Sequence, residues 1–135
     1  KKLNLKIVEN TSYIEKAFFR GIPVEGLSNL KEQLFGLEIN FEKLNAIDFK
    51  KGCYVGQENT ARMKLKNKIR RQLMSIKTEK DLKIGDEIKY NDSVIGRILI
   101  DKPYPFALIK LFDPDFSVFK DKKLKINDFN VEIIS

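Results

Sequence analysis

Residues 50–58, KKGCYVGQE, carry the single cysteine of a 135-residue chain that has no histidine. Cys53 stands between Gly52 and Gly56, behind Lys50 and Lys51 and ahead of Gln57 and Glu58. A thiol acts as nucleophile, redox group or metal ligand only as the thiolate, and nearby cations or a helix N-terminus lower its pKa. The two lysines supply the first condition. The helix-forming run QENTARMKLK, starting near Gly56 or Gln57, supplies the second. The glycines let the backbone turn tightly and admit a ligand, while Gln57 and Glu58 offer donors and acceptors that could read the edge of a heterocycle. The opposing reading is a small buried hydrophobe, the usual state of a lone cysteine. Apolar burial, however, asks for neither glycines nor lysines around it. Without histidine, nucleophilic catalysis of the Cys/His type is excluded, as are the usual zinc arrangements.

The charge around this motif is focused. Residues 1–49 and 73–135 are each balanced, so the net charge of +7 falls in residues 50–72. There Lys50, Lys51, Arg62, Lys64, Lys66, Lys68, Arg70 and Arg71 face only Glu58. Such a concentration attracts phosphates, polyglutamate tails or nucleic acid, or else forms a solvated basic face. Arg62, Lys64, Lys66, Lys68 and Arg70 recur at every second position and would line one face of an extended segment. No aromatic residue stands among them for base stacking, which leaves at most weak, salt-sensitive contact with nucleic acid.

The elements that position the motif are legible on both sides of it. SYIEKAFF, residues 12–19, reads as a helix with Ser12 as cap and Glu15 completing a capping box. Gly21 suits a left-handed residue past its end, and Pro23 forbids continuation. Leu27, Leu30 and Leu34 fit a short helix that Gly36 breaks, with irregular chain beyond it. After about Asn67 the pattern changes to short β-rich runs, KIRRQLMSIKT, DEIKY, SVIGRILID, FALIKLF and KLKINDFNVEII, separated by turn residues. Asn91 and Asp92 are placed for a tight hairpin. The expected fold is α+β: residues 1–67 as one unit carrying the motif, and residues 68–135 as a small antiparallel β-barrel of five to six strands. Period-two alternation puts Leu73, Ile76, Ile88, Ile98, Ile100, Leu108 and Ile126 on its inward face.

One cysteine excludes an internal disulfide and favours a reducing compartment. No apolar run approaches the roughly 18 residues that cross a bilayer, and the start lacks the apolar core of a signal peptide. A cytoplasmic location with no membrane partner is expected. The chain opens without methionine on alternating Leu3, Leu5 and Ile7, as a fragment of a longer protein would.

KGCYVGQE, with GIPVEG some thirty residues before it and AR shortly after, resembles the signature of YgfZ-type folate-binding proteins. These are an offshoot of the glycine-cleavage T-protein, or aminomethyltransferase, family, and their mitochondrial relatives support iron-sulfur cluster maturation. The resemblance extends from about Tyr13 to IGRILID and ALIKLF. It implies that residues 1–67 are the C-terminal part of a T-protein-like folate-binding domain and that residues 68–135 are the barrel that closes it. Lys51, Gly52, Cys53, Tyr54, Gly56, Gln57, Glu58 and Arg62 match the family motif, with Cys53 as the candidate catalytic residue and the others as motif or ligand-binding positions. Tetrahydrofolate is the implied ligand. Four positions before Gly21, where T-proteins carry a folate-contacting arginine, this chain has Ala17.

The function this implies is that of a folate-binding accessory protein for iron-sulfur enzymes, tRNA-modifying ones included. Its implied partners are folate and iron-sulfur proteins or their assembly factors. One thiol cannot hold a cluster, which ordinarily takes four, so no metal site is complete within this chain. The alternatives are a tetrahydrofolate-dependent aminomethyltransferase, which would make the protein an enzyme, and a basic nucleic-acid-binding module.

Overall fold

The computed structural model describes residues 9–51, 57–66 and 69–134. Short β-branched runs between turn residues form six strands: β1 (Arg71–Lys77), β2 (Glu87–Tyr90), β3 (Ser93–Ile100), β4 (Phe106–Lys110), β5 (Leu124–Ile126) and β6 (Phe129–Ile134). Asn91 and Asp92 take positive φ of 47° and 64°, as a two-residue type I′ turn requires, and bring Tyr90 opposite Ser93. Asn127, at φ 49°, opens the turn that sets Ile126 opposite Phe129. All pairs are antiparallel, in the order β1-β4-β3-β2-β5-β6. Pairing of Ser75 with Ile134 and of Lys77 with Glu132 joins the last strand to the first and closes the barrel. A four-residue helix, Phe116–Phe119, lies between β4 and β5, capped by the Asp115 side chain on the Ser117 N–H. The sequence pattern gave no sign of it.

The barrel interior holds Met74, Ile76, Ile88, Ile95, Ile98, Ala107, Ile109, Leu124, Ile126 and Val131, joined by Phe119. Four of the seven residues expected inside, Ile76, Ile88, Ile98 and Ile126, are there. Leu73 and Ile100 belong instead to a second cluster with Phe18, Leu30 and Phe106, and Leu108 is only half-buried, in the wall of a surface pocket. Leu73 lies three positions from Ile76 and so on the other face of β1, and a register shift between Ile98 and Ile100 turns Ile100 to the outer face of β3. Both are buried there because these parts of the strands are covered on both sides. Where a helical layer seals the outer face, alternation of apolar residues no longer separates inside from outside.

That layer begins with α1 (Asn10–Phe19). It starts two residues earlier than expected, with Glu9 at the cap position and no side-chain cap bond. Ser12 lies within the first turn, its N–H bonded to the Glu9 carbonyl at 3.3 Å, so the Ser12–Glu15 capping box does not form. The other end follows the sequence. Gly21, at φ 69°, donates to the Phe18 carbonyl and Ile22 to the Ala17 carbonyl, both at 2.9 Å, the paired bonds of a Schellman motif. Residues Leu27–Leu30 make one 3-10 turn. Gly26 before it takes φ 84° so close to the barrel that a Cβ would stand 2.9 Å from the Ile100 Cγ2. Positive φ and close approach together require glycine there.

Polar contacts fix the layer to β1. The Ser75 hydroxyl donates to the Phe18 carbonyl at 2.6 Å. The Leu73 N–H donates to the Glu38 carbonyl at 2.7 Å, and Asn40 Nδ2 donates to the Leu73 carbonyl at 3.0 Å. Residues 38–40 therefore satisfy the side of β1 that β6 does not reach. Buried Glu38 accepts from the Phe35 N–H and from Arg71 Nε, each at 3.0 Å.

Candidate functional site

Of the motif residues, Lys51, Gln57, Glu58 and Arg62 fall in the described structure; Gly52, Cys53, Tyr54 and Gly56 lie outside the described residues. Gln57 is the first residue of α2 (Gln57–Leu65), in agreement with the helix expected there. Glu58 occupies its first turn and Arg62 and Lys64 its last, the arrangement that complements the helix dipole. The helix corrects the expectation of a basic face with a two-residue repeat. At about 100° per residue, Arg62 and Lys64 point to opposite sides of α2. Lys68 lies outside the described residues, and within α2 Arg62 and Lys64 do not share the one face that an extended segment would give them. The nucleic-acid reading loses the geometry that motivated it.

Two side chains of α2 are held locally. Arg62 donates to Asn59 Oδ1 at 3.2 Å. Lys64 pairs with the Glu42 carboxylate and sits 4.2 Å from the centroid of the Phe49 ring, a cation–π contact that ties α2 to the preceding loop. That loop is folded by its own backbone: the Ala46 and Ile47 N–H groups converge on the Phe41 carbonyl at 2.8 and 3.3 Å. Asp48 Oδ1 accepts from the Lys50 N–H at 2.9 Å, an Asx turn that sets Lys50 and Lys51 on the surface.

The result is an open cleft of about 630 Å³ between the loop and α2, with Ile47 and Phe49 as its apolar part and Lys50, Lys51 and Lys64 as its cations. Glu42, which engages Lys64, and Asp48 also line it, so its three cations exceed its acids by one. Lys50 and Lys51 are left without a carboxylate partner among the described residues. Such a cleft can receive an anion by charge. Among the described residues no group of His, Cys, Asp or Glu could hold a metal ion.

Ala17 is buried in α1, 5% exposed. A methyl group there offers neither charge nor hydrogen bond to a folate carboxylate, so this position does not fit the arginine contact that the resemblance implies. Arg20, three positions on at the C-cap of α1, is exposed where Ala17 is buried. The sequence reading also passed over Glu38 and Asn40. Their one signal was a carboxylate and an amide within the otherwise apolar LFGLEINF.

The fold and the cleft together define a small closed β-barrel module with a helical layer and a lysine-bearing surface beside the described flanks of the cysteine motif. No family profile matches the chain. In sequence it is similar to the iron-sulfur cluster assembly factor IBA57 homolog, mitochondrial, of Neurospora crassa, at 41% identity over 111 residues, 81% of this chain and 23% of the relative. The homolog of the same name in Dictyostelium discoideum is 40% identical over 76 residues, 50% of this chain and 18% of the relative. The tRNA-modifying protein YgfZ of Buchnera aphidicola is 41% identical over 63 residues, 45% of this chain and 20% of the relative. The chain thus spans about a fifth of the length of the curated relatives it matches. The names of the fungal and slime-mould relatives place those proteins in the mitochondrion, which overturns the expectation of a cytoplasmic location. Among the described residues no helix is long and apolar enough to cross a membrane.

Proposed function

We propose that the chain is the C-terminal part of a YgfZ-type protein that supports iron-sulfur enzymes, tRNA-modifying ones included, through Cys53. In this reading residues 1–67 complete a T-protein-like domain and residues 68–135 form the barrel domain. The observation that carries it is the similarity to the Neurospora crassa assembly factor: at 111 residues the match must include both parts of the chain. Cys53 is the reacting group. Lys51, Gly52, Tyr54, Gly56, Gln57, Glu58 and Arg62 form and hold the site around it. Lys50 and Lys51, unpaired by carboxylates among the described residues, lower the pKa of a thiol that comes near them. The cluster itself is cargo, and a partner protein or second protomer supplies the other ligands.

Two measurements test this reading. Cys53→Ser leaves the fold intact while abolishing support of an iron-sulfur enzyme in cells. In the purified protein, alkylation of Cys53 near neutral pH runs faster in the native state than in the unfolded one, whose thiol has a pKa of about 8.5. Full protection of the thiol until unfolding makes Cys53 a packing residue and withdraws the mechanism.

Tetrahydrofolate is the ligand implied by resemblance, and Ala17 in place of a guanidinium removes one charged contact to it. Anaerobic calorimetric titration of the 135-residue chain with a reduced folate is expected to show no binding in the micromolar range, because the charge-assisted contact is missing. Micromolar affinity would place the folate contacts on other residues.

A further inference from the structure

We propose that the outer face of β1, β4 and β3 carries a second site, independent of the Cys53 reading, for a small organic anion: a carboxylate or phosphate borne on an aromatic or short acyl body. The strand register assembles it. Arg71 stands directly opposite Lys110, and Leu108 stands opposite both Leu73 and Arg97, so three cations from three adjacent strands surround one half-buried leucine. Like charges directly opposite across a sheet are destabilising. An arrangement that places Arg71 against Lys110 gains from an anion between them.

These cations line a cavity of about 360 Å³, within the range of small-molecule sites. Leu34, Leu99 and Leu108 supply its apolar surface, and among the described residues no carboxylate lines it. The acids that touch its cations lie outside the lining. Buried Glu38 holds Arg71 at 3.0 Å and Glu87 meets Arg97 at 3.3 Å. Glu38 uses the Nε edge and one terminal nitrogen of Arg71, which fixes the plane of the guanidinium and leaves its other donors available. Lys110 has no acid partner among the described residues and donates to the Val94 carbonyl at 2.9 Å. The three cations and two acids leave one positive charge in excess, so the acidic end of a ligand meets Lys110 between two oriented forks while its body covers the leucines. An apolar groove alone would not specify this ligand; charge on one side and apolar surface on the other do.

The test is titration of the isotope-labelled 135-residue chain with phenyl phosphate and with benzoate, followed by amide chemical shifts, with inorganic phosphate as the control that lacks a body. Saturable shifts are expected at residues 94–99 and 108–110. Phenyl phosphate or benzoate should bind at least about fivefold more tightly than inorganic phosphate, from the apolar area the ring covers. The arm that binds more tightly identifies the acidic group. Lys110→Ala and Arg97→Ala should each weaken binding by about threefold or more through loss of a charge-assisted bond. Shifts confined to the Lys50–Lys51 cleft, equal affinity for inorganic phosphate, or variants that bind like the parent would overturn the site. A tighter interaction of the same face with a single-stranded oligonucleotide would replace the small anion by nucleic acid. Should either alanine variant unfold, the shift map of the unaltered chain and the Lys110→Met variant decide the matter.

Discussion

Ile98→Asp is expected to unfold the barrel at ambient temperature. Ile98 has no exposed surface, faces the interior, and stands opposite Ala107 across β3 and β4. The substitution removes one of the larger interior side chains and leaves a carboxylate with no cation or donor in an interior cluster that is apolar throughout. Loss of the isoleucine alone costs about 2–5 kcal/mol, and an unpaired polar group adds several more unless it takes up a proton. The sum matches the whole stability of an ordinary domain, about 5–15 kcal/mol. Ile98→Val, which removes one methylene, should cost only about 1 kcal/mol. Denaturant unfolding of the two variants measures the difference. An unchanged midpoint for the aspartate variant would mean that residue 98 does not face the interior.

The second large effect falls on the opposite side of the sheet. Phe18→Ala is expected to cost about 3–5 kcal/mol, as truncation of a buried aromatic does. Phe18 is 5% exposed, stacks on Tyr104 at 4.8 Å between centroids, and meets Phe106 edge-on at 5.6 Å. Few other α1 side chains are buried: Ala17 is the neighbour, and Tyr13 and Phe19 are more than half exposed. The loss should therefore be local. Hydrogen exchange of the α1 amides is expected to accelerate much more than that of the β2–β3 hairpin. Equal acceleration in both regions would show that the layer and the barrel open as one unit.

What could be read in the sequence was what short-range chemistry dictates. Asn91-Asp92 tolerates the positive φ of a two-residue turn, and Gly21 followed by Pro23 closes α1 as those residues must. Gln57 begins a helix because the residues after it are helix formers. The failures share another cause, the burial of a surface by something distant in the chain. Leu73 and Ile100 look like any inward strand residue until Phe18 and Leu30 cover their side of the sheet. Ser12 had the right spacing for a capping box, but the helix starts at Asn10. Glu38 became structural because Arg71 and the Phe35 N–H meet it, a pairing across 33 positions that no local pattern announces. For the candidate site, the lysines and the start of α2 followed from the motif. The cleft between them did not, since it depends on the Lys64 contact with Phe49.

Closure of the barrel limits how the protein can recognise anything. An open sheet offers its outermost strand as a template, and an extended peptide can add to it through main-chain hydrogen bonds. Here β6 pairs with the end of β1, and the backbone of Leu73, beyond its reach, is already taken by Glu38 and Asn40. Among the described residues no strand of the ladder is left as an edge. Strand addition to this barrel is thereby closed to a peptide, which would have to be read through side chains projecting from the faces and loops. A peptide's sequence, rather than its capacity to extend, would decide whether it is bound.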